Sequence, residues 1–218
     1  MDLAKPALDI GLYTNQLEPM LAFWQNEAHA QFTELLPVGG GVHQHRHAIG
    51  DSVIKINHPR EAVAPGQPTG LSAVTIYGTH EQKLNDPDGN SIELASPSGD
   101  KNLRLTLTTP QLERMREFYG QTLGLPSPEA NVFRVGASEI ALVEGDLNPF
   151  ERAGVGYRYM TFQVFDVVAE HNQIISTGGL EGMAPIKLGE VAYISFVQDP
   201  DTNWLEISQR KSITGSLD

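Results

Sequence analysis

Three of the chain's seven histidines, His43, His45 and His47, lie at alternate positions within residues 41–47. In a β-strand, alternate residues face the same side of the sheet, so the three imidazoles would form one row. Two chemistries suit such a row. Histidines at positions i and i+2 can bind a metal ion, and a neutral histidine can act as a general base near pH 7. The third interpretation is a polar row without chemistry, hydrogen-bonded to backbone or water.

The next segment, residues 52–58, provides a frame of reference for this row. Ile54 and Ile56 predict the face that packs against the core, which turns Lys55 and Asn57 toward the opposite side. Neither face of the histidine segment is apolar, so its pattern alone leaves the direction of the row open. Because three imidazoles suit a semi-polar cavity better than open solvent, we expect His43 and His45 to line a cavity together with Lys55.

The composition narrows the class of protein. The 218 residues are 40% hydrophobic and 19% charged, which is typical of a globular protein, and the net charge is −12. This charge disfavours nucleic acid or an anionic membrane as a partner, since both require clustered Lys and Arg. The absence of cysteine excludes disulfides, thiolate metal sites and a cysteine nucleophile. No signal peptide and no apolar run of about 18 residues is visible, so we expect a cytoplasmic location.

Two sequence motifs occur twice and indicate an internal duplication. Residues 86–94 (DPDGNSIEL) recur 113 positions later as residues 199–207 (DPDTNWLEI), and each copy predicts a polar turn that leads into a strand. Residues 17–24 (LEPMLAFW) recur 95 positions later as residues 112–119 (LERMREFY), each with apolar residues at helical spacing. The second repeat therefore carries 18 additional residues, which a predicted helix over 166–178 supplies.

These motifs resemble the vicinal oxygen chelate superfamily, which includes glyoxalase I, bleomycin-resistance proteins and extradiol dioxygenases. The similarity extends over residues 6–210 and rests on the repeated motifs and on the strand and helix at 162–179. It implies an α+β fold in which tandem βαβββ units form two cup-shaped mixed sheets, with helices outside and a small-molecule ligand inside. We expect two domains, 6–98 and 101–210, of which the first lacks one helix. The other repeat or a second subunit would cover the sheet at that place, and the latter makes a homodimer the expected assembly.

The resemblance also implies where the family's metal ligands would lie. Its ligand positions correspond to Ile10, Lys55, Ser72 and Glu93 in the first repeat, and to Arg104, Ala141, Tyr159 and Glu206 in the second. Only the two glutamates match the family's ligand types, because Ile, Ala, Lys and Arg do not coordinate a divalent ion under ordinary conditions. We expect Lys55 to pair with Glu93, and Arg104 with Glu206. Each pair would be a structural salt bridge or would use its cation to anchor an anionic or enolate oxygen.

The first functional hypothesis is a small-molecule-metabolising enzyme, namely a lyase, isomerase or ring-cleaving oxygenase that acts through an enolate or vicinal oxygens. The catalytic residues would be His45, His43, Lys55 and Tyr159. The substrate-binding residues would be His47, Asn57, Tyr157, Arg104 and Glu206. A relocated site for one divalent metal ion (Fe, Mn, Zn or Ni) would consist of His43, His45 and Glu93, and otherwise no cofactor is expected.

Two other classes of function stay open. A metal-free ligand-binding or drug-sequestering protein of the bleomycin-resistance type needs none of the lost ligands, and the negative net charge would attract a cationic drug. The other class is a scaffold whose domains serve only dimerisation. The His-x-His pattern also begins the metal motif of cupins, but the glutamate that follows it there is absent. Neither a glycine-rich phosphate loop nor a serine nucleophile motif is present.

Overall fold

The computed structural model describes residues 1–64, 69–147 and 154–217. The strands in these ranges are β1 (Leu3–Tyr13), β2 (Gln31–Pro37), β3 (Val42–Ile49), β4 (Ser52–Pro59), β5 (Leu71–Tyr77), β6 (Gln82–Asn85), β7 (Ser91–Ala95), β8 (Leu103–Thr109), β9 (Val132–Val135), β10 (Ser138–Glu144), β11 (Gly156–Val164), β12 (Leu180–Leu188), β13 (Ala192–Gln198) and β14 (Trp204–Arg210). The helices are α1 (Leu17–Asn26), α2 (Leu112–Glu117), which continues as a π-helical turn over Phe118–Thr122, α3 (Val167–Ser176) and α4 (Lys211–Thr214). Within the described ranges, no helix combines the length and the apolar character needed to cross a membrane.

The larger sheet has eight strands and combines the two ends of the chain. Its order is β12-β13-β14-β11-β1-β4-β3-β2. At its centre β1 pairs antiparallel with β11 and parallel with β4, and β11 pairs parallel with β14. The first four strands of the chain therefore lie beside the last four.

The smaller sheet has six strands, in the order β6-β7-β5-β8-β10-β9. Each sheet thus takes strands from both repeats, so the predicted division into 6–98 and 101–210 follows the sequence repeat and runs through both sheets. The predicted α+β fold with two mixed sheets is confirmed. The missing helix is confirmed as well, because β5 reaches β6 through residues 78–81, whereas α3 lies between β11 and β12 in the second repeat.

The repeated DPDxN motifs form the same turn in both sheets. The Asp86 carboxylate accepts hydrogen bonds from the backbone N–H groups two and four residues later and from the side-chain amide of Asn90. The Asp199 carboxylate likewise accepts hydrogen bonds from the backbone N–H groups two and four residues later and from the side-chain amide of Asn203. An Asp side chain that satisfies successive backbone donors fixes a tight turn, which here starts β7 and β14. The duplication predicted from the sequence is visible in this shared geometry.

One continuous apolar cluster joins the two sheets and the helices α1, α2 and α3. Val74 and Ile92, on β5 and β7, are fully buried, and Ile76 and Leu94 are at most 5% exposed. The part of the six-stranded sheet that lacks a helix is therefore covered within the chain, which was one of the two predicted alternatives. A second subunit is not needed for this burial, and the homodimer stays a prediction.

Candidate functional site

The eight-stranded sheet encloses a cavity of about 560 Å³, which we call the large cup. Its polar lining comes from both repeats and consists of Gln44, Arg46, Lys55, Asn57, Tyr159, Glu206, Ser208 and Arg210. Its apolar lining consists of Tyr13, Leu36, Pro37, Val38, Met183, Ile186, Leu188, Val191, Ala192, Ile194 and Phe196. A concave apolar pocket with a few convergent polar groups is typical of a small-molecule site.

A buried ion pair lies in the large cup. Lys55 Nζ on β4 donates hydrogen bonds to Glu206 Oε2 on β14 at 2.6 Å and to the Thr161 hydroxyl at 2.7 Å. The Thr161 hydroxyl in turn donates to Glu206 Oε2 at 2.6 Å. The side chains of Lys55 and Glu206 are only 3% and 12% exposed. Burial lowers the pKa of Lys55, and the neighbouring carboxylates of Glu206 and Asp9 oppose that shift.

This pairing corrects the prediction that Lys55 meets Glu93. Glu93 lies on β7 of the six-stranded sheet, where Lys83 Nζ approaches Glu93 Oε1 at 3.2 Å near the surface. Lys55 and Glu206 come from different repeats, and the antiparallel pairing of β1 with β11 joins the halves of the sheet that carry them. A sequence repeat does not state which copy supplies the neighbouring strands, so the predicted partner was wrong.

Tyr159 lies in the large cup next to Lys55, although the two were predicted to line different cups. A Cβ atom at Gly11 would stand 2.1 Å from the Tyr159 ring, so the glycine provides the space for this ring. The Tyr159 hydroxyl oxygen accepts hydrogen bonds from the side-chain amides of Asn57 at 3.1 Å and Gln44 at 3.4 Å. Burial raises the pKa of Tyr159 well above its ordinary value. The phenol is therefore protonated at neutral pH and keeps its own hydrogen for a further acceptor.

Tyr157 does not lie in the cup, in contrast to the prediction. The pairing of β1 with β11 shifts between Gly11, opposite Tyr159, and Leu12, opposite Tyr157. Such a β-bulge reverses the alternation of side chains, so two tyrosines at i and i+2 face different sides. The Tyr157 hydroxyl donates to the backbone carbonyl of Ser91 at 3.3 Å and ties the two sheets together.

The histidine row lies on the side of the sheet opposite the large cup. Gln44 and Arg46 line the cup, so alternation turns the three histidines of β3 toward the other face. His45 pairs with Ile56, a fully buried core residue, which identifies that face as the one directed at the helices. The prediction that His43 and His45 line the ligand cavity with Lys55 is therefore wrong.

Each histidine of the row has its own surroundings. His47 is buried, with Nε2 3.3 Å from the side-chain nitrogen of Gln25 on α1. His43 is exposed and borders, with His58, a separate shallow cavity of about 380 Å³. Burial lowers the pKa of His45, and the nearby His58 and His43 lower it further. These positions give the row no contact with the large cup.

The residues present do not fit a divalent metal ion. The predicted set of His43, His45 and Glu93 is not assembled, since the histidines and Glu93 belong to different sheets. Within the described ranges, no three His, Cys, Asp or Glu side chains converge in a metal-binding arrangement. In the large cup, Glu206 already faces an ammonium group at 2.6 Å, and a second cation beside Lys55 would be repelled.

Arg104 also has a different partner from the one predicted. It donates from Nε and Nη2 to Glu139 Oε2, at 3.0 and 2.8 Å, rather than to Glu206. Lys101 and Arg134 approach the same carboxylate at 3.0 and 3.2 Å. Burial alone would raise the pKa of Glu139, but hydrogen bonds from Arg104 and Lys101 outweigh it and hold the pKa below its ordinary value. Arg104 therefore belongs to an ion-pair cluster on the six-stranded sheet.

Sequence reasoning missed Gln44, Arg46 and Arg210 as cup residues, although signals for them existed. Arg210 follows Glu206 at an even spacing on β14 and so shares its face. A two-residue turn at Gly50 and Asp51 fixes the β3–β4 hairpin, which places Arg46 opposite Lys55. That register assigns the cup face without any knowledge of the rest of the fold.

Residues 103–207 match the model of the Glyoxalase/Bleomycin resistance protein/Dioxygenase superfamily. The resemblance predicted from the repeated motifs is thereby confirmed over these residues. No curated protein sequence matches the chain.

Solved structures extend the likeness to the whole chain. A glyoxalase I mutant from Zea mays superposes with a TM-score of 0.74 at 14% identity, over 93% of this chain and 92% of that one. A protein from Bacillus subtilis subsp. subtilis str. 168, described as a candidate dioxygenase, gives 0.73 at 11% identity, over 100% and 91%. The cppA protein from Streptococcus pneumoniae TIGR4 gives 0.56 at 9% identity, over 95% and 100%. At these identities the likeness establishes the superfamily fold and leaves the activity open.

Proposed function

We propose that the large cup binds one small organic molecule through an oxygen atom and that the ammonium of Lys55 takes the place of a metal ion. The observation that carries this proposal is the Lys55–Glu206 ion pair, buried in the cup at two of the superfamily's ligand positions. A lysine there supplies one fixed positive charge and needs no bound cofactor. The proposal thus corresponds to the metal-free ligand-binding class.

Two hydrogen-bond donors in the cup support the binding of an oxygen atom. A lysine ammonium has three N–H bonds, and two of them are directed to Glu206 and Thr161, which leaves one for a ligand. The Tyr159 hydroxyl accepts from Asn57 and Gln44, so its own hydrogen is also left for a ligand. Two such donors on one carbonyl or enolate oxygen stabilise negative charge that develops there.

The shape and charge of the cup support a partly apolar ligand. Its volume of about 560 Å³ lies within the range of about 300–1,000 Å³ that is usual for small-molecule sites. The charged residues of its described lining are three cations, Lys55, Arg46 and Arg210, and one carboxylate, Glu206. A neutral or anionic oxygen-bearing ligand suits this lining better than the cationic drug suggested by the net charge of the chain.

An enolate-forming lyase or isomerase is the second candidate function. Both hydrogen bonds to Glu206 use Oε2, which leaves Oε1 as a proton acceptor next to the two donors of the cup. Glu206 would then act as the base and Lys55 would stabilise the enolate oxygen. The histidines of β3 cannot serve as the base, because they lie on the other side of the sheet.

Fluorescence titration with prodan, a neutral ketone whose emission reports an apolar environment, tests the binding function. We expect saturable binding of one prodan per chain, weakened about 10-fold by Tyr159→Phe, since one hydrogen bond to the ketone is lost. The double variant Lys55→Met/Glu206→Leu removes the ion pair without leaving a lone buried charge and should weaken binding similarly. His45→Ala is the matched control and should change nothing. Binding that responds to His45→Ala and ignores Tyr159→Phe would place the site elsewhere.

Deuterium exchange separates the two candidate functions. An enolate-forming enzyme incorporates deuterium from D2O at the α-carbon of a simple hydroxyketone such as hydroxyacetone, and Glu206→Gln abolishes that exchange. A binding protein binds prodan and gives no exchange above the uncatalysed rate.

A further inference from the structure

Two arginines of the large cup share one carboxylate that comes from the edge of the sheet. Arg46 Nε on β3 lies 3.0 Å from Glu34 Oε1, and Arg210 Nη1 on β14 lies 3.1 Å from the same oxygen. Both arginines line the cavity, whereas Glu34 reaches them from β2. Strands β14 and β2 are distant in the sheet order, so the curvature of the sheet brings these three charges together.

A local irregularity of β2 directs Glu34 toward the arginines. The pairing of β2 with β3 shifts between Phe32, opposite His47, and Glu34, opposite Arg46. Without this β-bulge at Thr33, Glu34 would share the outer face with Phe32, whose ring packs on His47. Bulges often redirect one side chain at a functional site, and here the redirected side chain is an acidic one beside two cations.

The charges of this region are not balanced. Among the described residues, the cations Arg46, Lys55 and Arg210 face the carboxylates of Glu34 and Glu206. The nearby buried carboxylate of Asp9 is paired with Lys5, so one positive charge is left in excess. Burial, and next the charge of Arg210, lower the pKa of Arg46, so the two guanidinium groups repel each other where they meet. An additional monoanion would neutralise this excess.

The arginines have donors for such an anion. Each guanidinium has five N–H bonds; Arg210 directs one to Glu34, and Arg46 directs one to Glu34 and one to the Gln44 side chain at 2.9 Å. Their side chains are 6% and 13% exposed, whereas Glu34 is 40% exposed. The carboxylate is therefore the member of the cluster that moves into water most easily.

We propose that Arg46 and Arg210 recognise the anionic group of the ligand, that this ligand is an amphipathic monocarboxylate, and that Glu34 occupies its place in the free protein. The proposal deepens the binding function proposed above and rests on it. The carboxylate would lie between the guanidinium groups, where bidentate pairs are favoured. The apolar part of the ligand would contact the β12–β13 side of the cup, which includes Met183, Ile186 and Phe196.

Displacement of prodan by octanoate and by 1-octanol tests this proposal, because the two molecules differ only in the head group. In the wild-type protein we expect octanoate to compete about 10-fold more strongly than octanol, as charge-assisted hydrogen bonds add to the apolar contacts. Arg210→Gln should weaken octanoate about 10-fold and leave octanol within about 2-fold, and Arg210→Lys should lie between. Glu34→Gln should strengthen octanoate about 3-fold, since the internal competitor loses its charge.

Lys101→Gln is the matched control, because it removes one cation on the six-stranded sheet and changes the net charge of the chain equally. Equal competition by octanoate and octanol, or weaker octanoate binding in Glu34→Gln, would overturn the proposal and leave the ion pairs as a tie between strands. Calorimetric titration of octanoate without prodan distinguishes a failure of the proposed binding function from a failure of the arginine-pair proposal. If prodan does not bind, the proposed function fails. In that case, a heat of octanoate binding that disappears in Arg210→Gln still supports the arginine-pair proposal. If octanoate gives no heat of binding, the arginine-pair proposal is refuted.

Discussion

Each of the two sheets carries a largely buried glutamate on an inner strand, and the two glutamates are neutralised differently. Glu206 in the eight-stranded sheet has a single cationic partner, Lys55, which is almost fully buried. Glu139 in the six-stranded sheet has three, Lys101, Arg104 and Arg134, whose side chains are 21 to 30% exposed. Both residues belong to the second repeat and lie on different strands, and of the two only Glu206 borders the large cup.

The two arrangements leave different groups available to a ligand. A single buried lysine neutralises Glu206 and keeps one donor for a ligand, so the cavity above it stays usable. Three partly exposed cations donate to both oxygens of Glu139, and Arg134 also pairs with Asp100. The first arrangement is suited to binding and the second to holding strands together.

Removal of one cation, first from one sheet and then from the other, should give the largest difference in the free energy of unfolding between the two sheets. Lys55→Met leaves Glu206 buried without its partner, and we expect a loss of about 3–5 kcal/mol in the free energy of unfolding. Lys101→Met leaves Glu139 with two arginines and should cost less than about 1 kcal/mol. Urea denaturation of both variants measures the difference. The double variant Lys55→Met/Glu206→Leu should recover most of the loss, and equal losses in both single variants would refute the distinction between the sheets.

The space beside Tyr159 gives a second contrast. Gly11 corresponds in the repeat to Thr106, which already carries a side chain in the six-stranded sheet. Gly11→Ala places a methyl group against the Tyr159 ring and should cost about 1–3 kcal/mol as well as weakening prodan binding. Thr106→Ala should change stability by less than about 1 kcal/mol and leave prodan binding intact. If Gly11→Ala binds prodan normally, Tyr159 does not contribute to the site.

The two DPDxN turns predict a pH dependence that differs between the sheets. Burial raises the pKa of Asp86 to about 6 and that of Asp199 to about 7, above the ordinary value of 3.8. A raised pKa means that the folded state favours the protonated acid. This stabilisation is complete below pH 3.8 and is lost as the pH rises through the folded-state value.

Between pH 6 and 7, therefore, Asp199 should reduce the free energy of unfolding by about 1 kcal/mol per pH unit, and Asp86 should contribute less because much of its titration lies below this interval. Urea denaturation across this interval should show a slope that Asp199→Asn reduces more than Asp86→Asn does. A slope that is unchanged in Asp199→Asn would contradict the assignment.

The smallest expected effect concerns the histidine row. Because His43 and His45 lie on the helix side of β3, the double variant His43→Ala/His45→Ala should change the affinity for prodan less than about 2-fold. A larger change in the affinity for prodan, measured by the same titration, would show that these histidines contribute to the binding site.

Much of the fold could be predicted from the sequence because the repeated motifs are short and contiguous. The turns at Asp86 and Asp199, the strands after them and the missing helix all follow from short motifs, and so does the inward direction of Lys55, Asn57 and Glu206. The pairing of β1 with β11 could not be predicted in this way, since it joins segments about 150 residues apart whose complementarity only the folded sheet reveals.

The remaining differences at the site have specific physical causes. Tyr157 and Glu34 are displaced from simple alternation by β-bulges, which a polar and apolar pattern does not record. The histidine row faces the helix side because the Gly50–Asp51 turn sets the register of the hairpin, and the types of the residues alone do not contain that register.

We propose that the large cup binds its ligand through Lys55 without a metal ion. Titration of prodan into the protein in EDTA, and again after addition of one equivalent of Zn²⁺ or Mn²⁺, tests it directly. We expect the same affinity under all three conditions and about 10-fold weaker binding in the Lys55→Met/Glu206→Leu variant. Binding that disappears in EDTA and returns with the metal ion would contradict it.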